Sequence, residues 1–198
     1  MTIGYEVPVI VRLPSHKLDD RDFDELCRLN PEKKVEQTSD GEIIIMPPTG
    51  GEAGRINFNL TGEFSKWAKQ DDSGIAFDSS TLFVLPNAAK RSPDLAWIKR
   101  ERWETLSKKQ REGFPPLCPD FVVEIRSPSD SLKTLQAKMQ EYIANGAQLG
   151  WLLDPIEKRV YIYCLGQAVQ QLNNPAEVSG DPLLRGFVLD IQKLLESK

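Results

Sequence analysis

The segment DFVVEIRSPSD at residues 120–130 decides how this chain is read. Phe121, Val122, Val123 and Ile125 make a short apolar run of the composition expected of a strand buried on both faces. Glu124 interrupts that run. An ionised carboxylate in such a place is costly unless it is paired or binds a metal. Side chains alternate along a strand, so Asp120, Val122, Glu124 and Arg126 share one face. Taken alone, the strand leaves two readings open: a structural ion pair with Arg126 or another cation, or an acid placed for chemistry.

Working outward, LKTLQAKMQEYIANG (132–146) carries Leu132, Leu135, Met139, Tyr142 and Ile143 on one stripe and ends at Gly146, which predicts a helix. LGWLLD and RVYIYCLG then predict two strands around a turn at Pro155. Upstream, PDLAWI (93–98) reads as a short strand opened by proline, and residues 99–118 as a long polar excursion. GIAFDSSTLFVLP (74–86) reads as one or two strands. RINFNLTGEFSKWAKQ (55–70) places Ile56, Leu60, Phe64 and Trp67 at helical spacing, after breakers at Pro47, Pro48, Gly50 and Gly51. LDDRDFDELCRLNP (18–31) predicts a short helix stopped by Pro31, and KKVEQTSDGEIIIM a hairpin turning at Asp40-Gly41. A short helix is expected at 188–196. The strand–helix–strand step after residue 120 predicts an α/β protein with a central mixed sheet flanked by helices. Residues 1–198 read as one domain, with the N-terminal helix and hairpin (about 18–46) as an extension of its core.

Composition narrows the function. With 40% hydrophobic and 27% charged residues, the chain has the make-up of an ordinary globular core. No apolar run approaches the roughly 20 residues of a membrane helix, and MTIGYEVPVIVRLP has none of the features of a secretory leader. Cys27, Cys118 and Cys164 are odd in number and scattered, which predicts reduced thiols and a cytoplasmic protein. A net charge of −4 means that any surface for nucleic acid must be local. Lys99, Arg100, Arg102, Lys108, Lys109 and Arg111, with Trp97 and Trp103 nearby, form one candidate stretch, though a solvated charged surface is the simpler account of them.

Asp94 gives Glu124 a companion. It opens the DLAWI strand, a natural neighbour of the later one, and the pair offers two carboxylates on adjacent strands. With a backbone carbonyl and waters they make the oxygen-rich site that Mg²⁺ or Mn²⁺ prefers. The sole histidine, His16, lies far from both in sequence, which argues against a histidine-based metal site or triad. Lys138 sits at the flank of the apolar stripe of its helix, where a flexible stem can cross to a site on the sheet; an exposed helix lysine is the plainer alternative. Gln136 lies on the other flank.

Pro93-Asp94 followed thirty residues later by Glu124-Ile125-Arg126 resembles the Pro-Asp…(Asp/Glu)-x-Lys signature of the PD-(D/E)XK nuclease superfamily. More specifically, MPPTGGE, RSPDLAWI, GFPPLCPDFVVEIRSPSD, LQAKMQEY and LGWLLDP, in this order over nearly the whole chain, resemble the bacterial restriction endonuclease family of that superfamily. The resemblance implies a restriction-endonuclease-like fold. It also implies Asp94, Glu124 and the carbonyl of Ile125 as ligands of Mg²⁺ (or Mn²⁺), which would activate water and stabilise the scissile phosphate. Arg126 departs from the signature. Arginine stays protonated, so it can hold phosphate or orient water but cannot act as a base. Some nucleases of this fold carry their lysine on the following helix, which adds to the case for Lys138. A third acid often comes from the preceding helix: Glu52 lies in a block that resembles the family, and Glu63 is the alternative, although stabilisation of a helix N-terminus is the simpler account of Glu52.

The expected activity is therefore metal-dependent hydrolysis of DNA phosphodiester bonds, an Mg²⁺-dependent endodeoxyribonuclease. A different class of function keeps the fold as a catalytically inactive nucleic-acid or protein-binding module, consistent with the acidic net charge and Arg126. A third reading directs the carboxylates at RNA or a smaller phosphodiester. Nucleases of this fold often act as homodimers because two strands need two sites, though no feature of the sequence demonstrates one.

Overall fold

The computed structural model describes residues 7–13 and 18–196, and His16 lies outside them. In chain order the elements are β1 (Val9–Val11), α1 (Asp20–Leu29), β2 (Lys34–Gln37), β3 (Ile43–Met46), α2 (Gly51–Asp71), β4 (Gly74–Asp78), β5 (Phe83–Val84), β6 (Lys90–Arg91) and β7 (Leu95–Lys99). There follow α3 (Arg100–Glu104), α4 (Lys108–Glu112), β8 (Phe121–Ile125), α5 (Leu132–Ala144), β9 (Leu149–Asp154), β10 (Arg159–Cys164), β11 (Gln170–Asn173), β12 (Glu177–Ser179), β13 (Val188–Asp190) and α6 (Ile191–Leu195).

The architecture is mixed α/β, as the strand–helix–strand step predicts. A six-stranded sheet runs β11-β10-β9-β8-β7-β4, with β8 and β9 parallel and the other pairings antiparallel. The parallel pair needs a crossover, and α5 supplies it. Every residue of β8 is buried, because both faces of the sheet are covered. Phe121, Val123 and Ile125 join Ile56, Leu60 and Phe64 of α2 in one cluster, together with Trp151 and the C-terminal Phe187 and Leu189. On the other face Val122 packs with Leu135, Met139 and Tyr142 of α5. A second, five-stranded antiparallel sheet, β1-β3-β2-β6-β5, carries the hairpin.

Several local expectations need correction. The α2 helix begins at Gly51, within the stretch read as breakers, because Gly50 takes the N-cap and first-turn N–H groups need no helical partner. The reading of residues 74–86 as one or two strands holds: they form two, and an Asp78-centred turn sends them into different sheets. The polar excursion contains two short helices, α4 being held by a Ser107–Gln110 capping box. At the C-terminus only 191–195 is helical, and 188–190 pairs with β12 as a strand. Among the described residues no helix is long and apolar enough to cross a membrane.

One glycine is required by close approach. A Cβ on Gly74 would lie 2.2 Å from Cε2 of Trp97 and 2.5 Å from the carbonyl oxygen of Ile98, both fixed parts of the sheet. Gly74→Ala is expected to destabilise the protein by about 1–3 kcal/mol through overpacking, read as a lower denaturant midpoint at unchanged slope. An unaltered midpoint would show that β4 yields freely at this edge.

Candidate active site

The register that pairs Leu95 with Val123 sets Asp94 one step beyond the ladder, against Glu124. Asp94 Oδ2 accepts the backbone N–H of Ile125 at 2.8 Å, and Oδ1 takes only a long bond from Asn57 Nδ2 of α2 at 3.3 Å. Burial raises the Asp94 carboxyl above its ordinary range, against the pull of the Lys34 charge and the Ile125 N–H. Glu124 is 5% exposed. Its Oε1 receives both the Lys138 ammonium at 2.8 Å and the Tyr142 hydroxyl at 3.0 Å, while Oε2 takes no hydrogen bond among the described residues. Burial pushes this carboxyl up, Lys138 opposes the shift, and the negative charges of Asp94 and Glu36 add to it.

Lys138 is also claimed from a second direction. Its Nζ lies 2.9 Å from Glu36 Oε1, on the β2 strand of the hairpin. Glu36 further accepts the Ser92 N–H at 2.9 Å and Arg91 Nη1 at 3.2 Å, and Arg91 Nε reaches Glu141 of α5 at 2.6 Å. Burial would raise the Glu36 carboxyl, but the charges of Lys138 and Arg91 outweigh it and hold the group at about 2. Burial would discharge Lys138; Glu124 and Glu36 together reverse that and keep it protonated. A buried lysine that would be a liability alone is thus stabilised between two acids.

One end of this network opens on a cleft of about 700 Å³ between the start of β2, the loop entering α2, the 127–130 loop and α5, while Glu36, Arg91 and Tyr142 stand behind its wall. Asp94, Glu124, Ile125, Lys138 and Glu52 all contribute to its wall. Glu52 stands in the first turn of α2 and pairs with Arg55 at 2.6 Å, while Glu63, farther along, pairs with Lys66. Gln136 is half-buried on α5 and does not line the cleft. Arg126 does not line it either. The register pairing Ile125 with Leu153 leads next to Arg126 and Asp154, and that buried carboxylate takes the guanidinium at 2.8 Å. Its expected place beside the two acids is therefore corrected. Asp120 lies at the opposite end of β8, fully buried, accepting from Lys99 N–H and Gln148 and paired with Arg102. The basic stretch follows β7 at that same far end, with Arg100 on Asp72 and Lys108 near Glu112.

Sequence reasoning missed Glu36, Arg91, Tyr142 and Asn57. Tyr142 read as part of an apolar stripe and Glu36 as part of a peripheral hairpin, and neither carries a local mark of its partner. The signal available for Glu36 is its position beside Val35 in a segment read as strand, and in the structure Val35, Glu36 and Gln37 are all buried.

The donor set fits a hard divalent cation. Burial raises both carboxyls, so a cation bound between them would offset the cost of ionising them there, and Glu124 Oε2, Asp94 Oδ1 and the Ile125 carbonyl offer oxygen. Among the described residues no group of three or more Asp, Glu, His or Cys side chains converges, so water would complete the shell. Glu36→Gln is expected to cost about 3 kcal/mol at neutral pH, the low end for a broken buried pair because Lys138 keeps Glu124 and Arg91 keeps Glu141. The Glu36 carboxyl is depressed in the fold, so its contribution is complete above 4.5 and lost as pH falls toward about 2. Denaturation of both proteins should show the gap closing through that window; equal stability at neutral pH would contradict the pairing.

No curated protein matches the chain. Among solved structures, a putative nuclease belonging to DUF820 from Anabaena variabilis ATCC 29413 superposes with a TM-score of 0.70 at 22% identity, over 83% of this chain and 90% of that one. At that identity the likeness establishes the fold alone, the mixed α/β architecture of sheets flanked by helices. The match to a family profile extends over residues 20–192, nearly the span that the sequence motifs cover, and by it the chain belongs to the Uma2 family, described as "Putative restriction endonuclease".

Proposed function

We propose that the protein is a metal-dependent endodeoxyribonuclease whose reaction centre is Asp94, Glu124 and Lys138. One observation carries the proposal: two buried carboxylates share a cleft wall with a buried lysine, and one oxygen of Glu124 is left over after Lys138 and Tyr142 are satisfied. Asp94, Glu124 and the Ile125 carbonyl would hold Mg²⁺ or Mn²⁺, which when bound supplies Lewis-acid charge and lowers the pKa of a water.

The remaining roles belong to the chain. Lys138 is kept protonated by Glu36 and Glu124, so it acts as a fixed positive charge and hydrogen-bond donor, not as the base that takes the proton from water. Placed on the cleft wall, it can orient water and offset charge that builds on the phosphate oxygens. Tyr142 and the Ile125 N–H fix the two carboxylates, so little reorganisation is needed when substrate enters. Glu52, which lines the same cleft, would touch water or substrate there. Cutting both strands of a duplex would take two copies of the protein.

A non-catalytic binding module on this fold draws support from the net charge of −4 and from the engagement of Lys138 by both acids. Incubation of supercoiled plasmid with Mg²⁺ or Mn²⁺ separates the two. Wild type should nick or linearise it, and Asp94→Asn and Glu124→Gln should each lose at least about a hundredfold, as expected when several kcal/mol of charge stabilisation disappear. Both variants should stay folded and lose a Mn²⁺ site seen by calorimetry. A wild type that neither cuts nor binds Mn²⁺ would leave the binding module standing.

A further inference from the structure

One charge on the cleft wall has no part in this scheme. Lys34, the first residue of β2, is the only cation besides Lys138 among the described residues lining the cleft. The Lys138 ammonium is shared by Glu36 and Glu124. Lys34, by contrast, has no carboxylate within ion-pair distance among the described residues, although it is half-buried. Its charge is nevertheless felt at Asp94 and Glu36, where it favours the ionised forms. It therefore stands near the acid pair without being consumed by it.

A phosphodiester drawn toward Asp94 and Glu124 meets their negative charge and that of Glu52 and Asp130 on the same wall. Asp130 keeps its charge while accepting the Ser127 N–H and hydroxyl, and the Lys138 ammonium is shared by its two acids, so neither offsets that repulsion. The uncommitted ammonium is the group able to receive an anion. A lysine is suited to this as a compact charge with three donors on a flexible stem. We propose that Lys34 binds a backbone phosphate of the nucleic-acid substrate beside Asp94; this rests on the nuclease reading above. Lys34 is thus a substrate-binding residue supplied by the hairpin, on the side of the cleft from which Glu36 supports Lys138.

The test is binding, which does not depend on cleavage. Fluorescence anisotropy of a labelled single-stranded oligodeoxynucleotide, with Ca²⁺ in place of Mg²⁺, is followed across a salt series for wild type, Lys34→Met and Lys34→Arg. Loss of one phosphate contact should weaken binding several-fold and reduce the slope of log K against log salt by about 0.7. Lys34→Arg should keep the wild-type slope, and all three proteins should share one thermal midpoint. A Lys34→Met protein with wild-type affinity and slope overturns the proposal. So does one whose affinity falls with the slope unchanged, since that is the mark of a structural role. If wild type binds but does not cut plasmid in Mg²⁺, the cleavage reading fails while Lys34 is still judged by the slope. If wild type does not bind the probe at all, both fall together.

Discussion

Everything at the cleft depends on one ammonium group shared by two carboxylates. Lys138 comes from the crossover helix, Glu124 from the central strand and Glu36 from the hairpin of the second sheet. Each of these ions would be expensive to bury alone, and together they form a chain that continues through Arg91 to Glu141. The chain ties the two sheets together at the place where the chemistry is proposed. It also sets the protonation states: Glu36 is held ionised, Lys138 is held charged, and the mismatch is left on Glu124 and Asp94.

The central sheet explains why Glu124 is tolerated at all. β8 separates two apolar clusters, and the odd-numbered side chains fill one while the even-numbered face meets α5. At its C-terminal end the even face reaches Tyr142 and Lys138, which satisfy an acid that the middle of the strand could not. At its other end Asp120 is satisfied in a different manner, by a backbone N–H, an amide and a guanidinium. Two buried carboxylates on one strand face thus have different fates. Asp120 is saturated by donors, and Glu124 is left with an oxygen to spare.

Much of this is legible in the amino-acid sequence. β8 and α5 announce themselves because one is a continuous apolar run and the other an uninterrupted stripe, and both are buried as their patterns require. Their order in the chain implies a parallel step. Asp94 and Glu124 attract attention because acids are rare in or beside such strands. What stayed hidden depends on tertiary partners. Nothing in the sequence around Lys90 and Arg91 marks a strand, yet they form a buried one, because Gln37, Glu36 and Glu141 meet them from other elements. Glu36 looks peripheral for the same reason. Arg126 was drawn to the site by its place in a motif, whereas the strand register gives it to Asp154.

The span of the Glu36–Lys138 contact has a kinetic side. The two residues stand 102 positions apart, so no local folding event can assemble the pocket. A chain of that length must close before the contact forms, and contacts so distant in sequence slow a folding reaction. During synthesis the hairpin emerges long before the helix that neutralises it. Until α5 arrives, Glu36 has Arg91 and the Ser92 N–H of its own sheet but no Lys138, and the cleft comes into being only with the second half of the polypeptide.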